Sequence, residues 1–162
     1  MKNSTISGWL NIDKPEGYSS AKVVAIIKRL LNAKKVGHGG TLDPLATGVL
    51  PICINSATKT TEKIMKGKKS YLFHILFGEE RDTDDLEGNI INKTDYIPNE
   101  EEIKKVLGKF IGEIEQMPPI FSALKVDGKR AYDLARNGKE VKLEPRLVSV
   151  YDLKFNGFID EK

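Results

Sequence analysis

The sequence predicts an α+β protein with a mixed, largely antiparallel sheet and flanking helices. Some segments carry apolar residues at helical spacing, and others carry the dense or alternating apolar residues of strands. The two patterns follow one another without the strict strand–helix–strand repeat of a parallel sheet. With 162 residues, 40% of them hydrophobic, the chain has enough apolar material for a packed domain.

The first elements are a strand and a helix. Gly8 to Asp13 has strand character and is stopped by the Lys-Pro pair that follows it. Ser19 or Ser20 then offers an N-cap for an amphipathic helix over residues 21–31.

A glycine-rich segment and a buried strand come next. Gly37, Gly39 and Gly40 are expected to interrupt regular structure. Val49 to Ile54 is predicted to be a buried strand, and a short capped helix is expected from 55 or 56 through 65.

Ser70 to Phe77 is the clearest strand prediction, because aromatic and β-branched residues are dense there. The acidic run 79–87 is predicted to be a loop before a returning strand over 88–92. Pro98 and Asn99 then open a helix that is expected to run through about residue 109.

The last third is predicted to alternate short strands and turns. Extended structure is expected over 111–116, a strand with a tight Asp-Gly turn over 121–128, and a short helix over 131–136. Leu147 to Phe155 completes the prediction as a final strand.

Composition limits the cellular location expected for the protein and the class of molecule that it is expected to bind. The single cysteine, Cys53, lies in an apolar run, which indicates a reduced thiol and a cytoplasmic protein. No apolar run is long enough to span a membrane, and no secretory signal is apparent. Two basic stretches, about 22–59 and 125–146, flank an acidic one, which favours a polyanion-binding face.

The segment from Gly37 to Gly48, GHGGTLDPLATG, is the most informative for chemistry. Its one carboxylate, Asp43, lies among glycines and cationic neighbours, and Pro44 biases it to extended geometry. An ionised, positioned carboxylate can act as a nucleophile or a base, although Asp-Pro is also a common turn dipeptide. His38 has no companion at metal-ligand spacing, so no metal site is predicted.

Five ordered motifs resemble the TruB family of bacterial tRNA pseudouridine synthases. They are NIDKPEGYSS (11–20), GHGGTLDPLATGVLP (37–51), KKSY (68–71), RDTDDLEG (81–88) and QMPPIFSALKVDGKRAYDLARNGKEV (116–141). The resemblance covers nearly the whole chain. It implies a pseudouridine synthase catalytic fold that isomerises uridine 55 in the T-loop of tRNA, without metal or other cofactor.

The resemblance also assigns roles to individual residues. Asp43 matches the catalytic aspartate, with attack at C6 of uracil or at C1′ of ribose left open. His38 matches a histidine that enters the RNA loop after the target base is flipped out, and Tyr71 matches a tyrosine that stacks on that base. Lys14 matches a motif beneath the catalytic loop and is counted with the RNA-binding residues.

An insertion over about 116–146 is implied to grip the T-arm. Its basic residues would contact phosphates, giving affinity more than sequence choice. Those predicted to bind RNA are Lys125, Lys129, Arg130, Arg136 and Arg146.

Two departures from the family pattern carry expectations of their own. Gly39 stands where the family usually has Thr or Ser, which is expected to loosen the loop or remove a contact to RNA. The chain ends before the family's arginine motif and C-terminal RNA-binding domain. We therefore expect residues 1–162 to be a partial catalytic domain, with less isomerase activity than a full-length homologue.

Three functions are weighed from the sequence. The first is a stand-alone isomerase, expected to be monomeric with no obligatory protein partner. The second is an RNA-binding or tRNA-folding module, and the third is a guide-RNA-dependent relative that shares the GTLDP loop. The continuous match through KKSY and the insertion favours the first.

Overall fold

The computed structural model describes residues 4–117, 125–126, 129–130 and 144–159. The chain divides into two compact units, Met1–Leu72 and Phe73–Lys162. Each unit combines helices with small antiparallel sheets, so the predicted α+β class is confirmed.

A three-stranded antiparallel sheet forms the first unit. Its strands are β1 (Gly8–Lys14), β2 (Val36–His38) and β3 (Gly48–Ile54), in the order β1-β3-β2. Lys14 is the register partner of Gly48. The last residue of β1 therefore lies beside the point where the chain enters β3, at the end of the loop that carries Asp43.

Helix α1 (Ser20–Leu30) packs on this sheet. Its buried Val23 meets Leu50 and Ile52 of β3, which are fully buried. Ser19 caps the helix by accepting a hydrogen bond from the Lys22 N–H at 3.2 Å. The two predicted caps are thus resolved: Ser19 is the N-cap and Ser20 is the first helical residue.

The helix predicted near 55–65 forms as a 3-10 turn, Asn55–Thr60, followed by α2 (Thr61–Met65). No side chain caps the turn. The Asn55 amide instead donates to the carbonyls of Ser4 and Ile6, at 3.0 and 2.6 Å. Its oxygen accepts from the Lys35 N–H at 3.1 Å. Asn55 therefore ties the N-terminal segment to the start of β2.

The described part of the second unit contains short hairpins and one α-helix. β4 (Glu79–Arg81) pairs with β5 (Ile90–Lys93), so the prediction that residues 79–87 form a loop is wrong at its start. Helix α3 (Glu100–Leu107) continues into a 3-10 turn over Gly108–Phe110. Asn99 and Glu102 form a capping box, and the Asn99 N–H lowers the pKa of the Glu102 carboxyl.

The remaining strands are β6 (Gly112–Gln116), β7 (Lys125–Val126), β8 (Lys129–Arg130) and β9 (Arg146–Val150). β6 pairs with β9, and β7 pairs with β8. The predicted last strand ends at Val150 rather than Phe155, and the helix predicted over 131–136 lies outside the described residues.

Two further sequence predictions are wrong in this structure. Gly37 does not interrupt regular structure, because it lies within β2 opposite Cys53. Ser70–Phe77 forms no strand: residues 70–76 lack regular structure, and Leu72 and Phe73 are 78% and 58% exposed. A high strand propensity means that the side chains suit the paired, half-buried surface of a sheet, but it does not provide the partner strand. None of the described strands pairs with this segment.

In the part of the chain that the structure describes, no helix is long and apolar enough to cross a membrane.

Hydrogen exchange should separate the two apolar segments predicted as strands. In this chain, amides of 71–76 should exchange at least about 100-fold faster than those of the buried residues 52–54, because exchange protection follows stable backbone pairing. Amide exchange followed by mass spectrometry measures the difference. Equal protection of the two segments would contradict the unpaired state of 71–76.

Candidate functional site

Asp43 lies on the loop of residues 39–47 that joins β2 to β3, called here the Asp43 loop. The residue is exposed. Among the described residues, its carboxylate makes no hydrogen bond or ion pair. The carboxylate is therefore accessible to a ligand and carries no structural bond that a ligand would have to break.

The backbone around Asp43 is held by hydrogen bonds. Three consecutive carbonyls each accept a hydrogen bond. The Leu42 carbonyl accepts from the Ser20 hydroxyl at 2.9 Å, and the Asp43 carbonyl accepts from the Ala46 N–H at 3.1 Å. The Pro44 carbonyl accepts from the Gly17 N–H at 2.8 Å and from the Lys14 ammonium at 3.2 Å.

Lys14 is fully buried beneath this loop. Its ammonium donates to the carbonyls of Pro15, Tyr18 and Pro44, at 3.0, 2.7 and 3.2 Å. Three bonds use all three ammonium protons. The side chain therefore joins the turn after β1 to the Asp43 loop.

This burial corrects the prediction that Lys14 contacts the substrate. A side chain with no exposed surface and all its donors occupied cannot reach RNA in this structure. The resemblance also placed its motif beneath the catalytic loop, and that is where the lysine lies.

Gly17 has a backbone requirement of its own. Its φ of +77° lies in the left-handed region, which glycine adopts without steric penalty. That conformation belongs to the turn in which the Gly17 N–H bonds to Pro44.

Leu42 is anchored through both its backbone and its side chain. The Ser20 oxygen accepts from the Leu42 N–H and donates to the Leu42 carbonyl, each at 2.9 Å. The Leu42 side chain packs against the core cluster of Val23, Leu50 and Ile52. Asp43 is thus the exposed neighbour of a firmly held residue.

The sequence did not reveal the bond between Ser20 and Leu42. The signal in the sequence was the adjacent pair Ser19 and Ser20. One helix needs only one N-cap, so the hydroxyl of the second serine is available for another partner.

His38 ends β2, and its side chain folds over its own loop. Its Nδ1 lies 2.5 Å from the Gly40 carbonyl. A carbonyl can only accept, so Nδ1 carries the proton in this arrangement. In this geometry the His38 ring caps its own turn. The contact to RNA stays a prediction.

Gly39 packs against helix α2. A Cβ at this position would lie 2.8 Å from Cγ2 of Ile64, closer than real Cβ contacts allow. Ile64 therefore occupies the space of the missing side chain, and the Gly39 N–H bonds to the Pro51 carbonyl at 2.8 Å. The expected loosening of the loop at Gly39 does not occur here, because both its surface and its N–H are engaged.

The other predicted site residues belong to other segments of the chain. Tyr71 is 65% exposed in a segment without regular structure. Arg146, in β9, donates to the Gln116 side-chain oxygen at 3.2 and 3.0 Å. Lys125, Lys129 and Arg130 lie in β7 and β8, and Arg136 is outside the described residues. The structure thus brings together Lys14, His38 and Asp43.

Comparison with known proteins identifies relatives. The family model described as "TruB family pseudouridylate synthase (N terminal domain)" matches residues 28–162. The tRNA pseudouridine synthase B of Ehrlichia ruminantium is 54% identical over 154 residues, which are 95% of this chain and 52% of that protein. That of Bartonella bacilliformis is 50% identical over 160 residues, 99% of this chain and 50% of that protein.

This chain spans about half the length of most of these relatives. A shorter relative is the putative tRNA pseudouridine synthase B of Rickettsia prowazekii, which is 50% identical over 153 residues, 94% of this chain and 89% of that protein. Among solved structures, a Cbf5-Nop10-Gar1 complex contains a chain with 34% identity and a TM-score of 0.49, covering 73% of this chain and 31% of that one.

Replacing Lys14 with Met should destabilise the protein strongly. Removing the ammonium takes one bond from each of three carbonyls, of which that of Pro44 keeps a second donor, the Gly17 N–H. The cost is about 1–3 kcal/mol for each carbonyl that is left unsatisfied and that water cannot reach. Urea unfolding measures the loss. Lys28→Met is the matched control, since it removes the same charge from an exposed position on α1. Equal stability of the two variants would show that the Lys14 bonds contribute nothing.

Gly39→Thr should destabilise the protein by about 1–3 kcal/mol, because the new side chain overpacks against Ile64. Ile64→Ala removes the closest atom, so Gly39→Thr should have a smaller effect in that background. A double-mutant cycle of urea unfolding energies measures this coupling. Strictly additive effects would mean that the Gly39–Ile64 contact does not limit the residue at 39.

Proposed function

The chain belongs to the TruB family of pseudouridylate synthases, and we propose that its protein converts uridine 55 in the T-loop of tRNA to pseudouridine, with Asp43 as the nucleophile. Curated relatives about 50% identical are named tRNA pseudouridine synthase B, which supports tRNA as the substrate. The single structural observation that carries the proposal is an exposed carboxylate that makes no hydrogen bond or ion pair within the described ranges, on a loop whose backbone is held on both sides.

The reaction is an isomerisation, so it requires no oxidant, reductant or activated donor. The bond from N1 of uracil to C1′ of ribose breaks, the uracil turns, and C5 bonds to C1′. C5 loses its proton and N1 gains one, which leaves the composition unchanged. Asp43 assists as a nucleophile at C6 or at C1′, and both attack sites remain open.

The target base is stacked inside a folded loop, so it has to leave the stack before a carboxylate reaches it. His38, which immediately precedes the Asp43 loop, is proposed to enter the space that the base leaves. Its Nδ1 bond to Gly40 holds the ring in one orientation before RNA binds. Tyr71 is proposed to stack on the extruded base, and its 65% exposure leaves the ring available.

The segment over about 116–146 is proposed to grip the T-arm. Gln116 and Arg146 are register partners at the end of the β6–β9 ladder, so the chain between them leaves and returns at a single point. The pairing of Gln116 with Arg146 therefore supports an insertion that begins and ends at these two residues. Lys125, Lys129, Arg130, Arg136 and Arg146 would contact phosphates, which makes affinity fall as salt rises.

The cytoplasmic location, the monomeric state and the absence of an obligatory protein partner stay predictions. So does a weaker activity of residues 1–162 than of a full-length homologue.

Asp43→Asn should abolish isomerisation and leave tRNA binding within about threefold, because the amide keeps the shape of the carboxylate but is a poor nucleophile. Release of tritium from tRNA labelled at C5 of uridine measures turnover in the whole protein that contains this chain. Filter binding measures affinity. Glu16→Gln, which neutralises another exposed carboxylate, is the control and should retain activity.

Full turnover by the Asn variant would refute the role of Asp43. Binding of tRNA by a wild-type protein that releases no tritium would favour the RNA-binding module instead.

A further inference from the structure

We propose that Ser20 is a positioning residue for Asp43: its hydroxyl fixes the direction in which the loop presents the carboxylate. The inference rests on the proposed function, because it gives Ser20 a part in the reaction of Asp43. It concerns a side chain that does not touch the substrate and acts only through the backbone.

The first observation is the pair of bonds made by one hydroxyl. The Ser20 oxygen accepts from the Leu42 N–H and donates to the Leu42 carbonyl, each at 2.9 Å. A serine hydroxyl has one proton and two lone pairs, so both bonds form at once. Ser20 thus hydrogen-bonds to both the N–H and the carbonyl of Leu42, as a neighbouring strand would.

Burial makes this contact hard to replace. Ser20 is only 3% exposed, so water has little access to the site if the hydroxyl is removed. The Leu42 side chain packs against the core cluster of Val23, Leu50 and Ile52. Loss of the hydroxyl would therefore leave two backbone groups unsatisfied next to an apolar cluster, and the loop would move to satisfy them.

The effect on Asp43 follows from peptide geometry. The Leu42 carbonyl belongs to the peptide unit that joins Leu42 to Asp43, and that unit is planar. Holding its oxygen fixes one of the two planes that flank the Asp43 Cα. The Asp43 carbonyl, bonded to the Ala46 N–H at 3.1 Å, fixes the other plane. With both planes set, the direction of the Asp43 Cα–Cβ bond is set as well.

Ser19 provides the control that isolates this role. Both serines lie at the start of α1, but Ser19 caps the helix through the Lys22 N–H, whereas Ser20 bonds to the loop. Ser19→Ala should weaken the helix and leave Leu42 held. Ser20→Ala should release Leu42 and leave the cap in place.

The experiment uses the whole protein that contains this chain and compares wild type with Ser19→Ala, Ser20→Ala and Ser20→Thr. Steady-state tritium release from tRNA gives kcat and KM, and amide exchange followed by NMR gives the protection of the Leu42 N–H. For Ser20→Ala we expect kcat to fall about 10–100-fold, with KM within about threefold, because small misplacements of a reacting group affect the chemical step. Leu42 should exchange at least about tenfold faster.

Ser20→Thr keeps the hydroxyl and should recover most of both losses, while Ser19→Ala should change neither. A Ser20→Ala protein with fast exchange at Leu42 and normal kcat would overturn the proposal, as would equal losses of kcat in the two Ala variants. If wild type binds tRNA and releases no tritium, the proposed function fails. Unchanged exchange at Leu42 in Ser20→Ala would then show independently that Ser20 does not hold the loop.

Discussion

The structure around the candidate site depends on one constraint: the carbonyls of residues 42, 43 and 44 are all held. Two of the three are held by residues 14–20, the segment that joins β1 to α1. The core positions that segment, because β1 pairs with β3 and α1 packs on the same sheet. The burial of Val23, Leu50 and Ile52 therefore determines the position of a carboxylate that lies outside the core.

The choice of lysine at 14 follows from the geometry of its partners. Three carbonyls from two chain segments surround one point, and an ammonium supplies three donors from one atom. An Arg would spread its donors over a planar fork, which suits a carboxylate or phosphate better than three converging carbonyls.

The sequence predicted those helices and strands that depend on local residue patterns. The bounds of β1, α1 and β3 follow from apolar spacing and from the residues that stop each element, and they lie within a residue of those observed. Residue types alone made Asp43 a candidate, and only the ordered motifs predicted that it is a nucleophile. The burial of Lys14 could not be predicted, because lysine is almost never fully buried and its acceptors are backbone atoms of residues 15, 18 and 44. The strand predicted over 70–77 was wrong because strand formation requires a partner, which the local sequence does not specify.

The backbone of the Asp43 loop is held at several positions, which suits the proposed role of Asp43 as nucleophile. Gly39 is packed under Ile64, Leu42 is held by Ser20 and the core, and Pro44 is held by Lys14 and Gly17. The Asp43 side chain is left with freedom only about its own χ angles. Ordering two χ angles on binding loses far less entropy than ordering a nine-residue loop, since each backbone residue fixed costs roughly 1–2 kcal/mol. Under the proposed function, most of the ordering of the Asp43 loop is therefore complete when the protein folds, before RNA brings the nucleoside to the carboxylate.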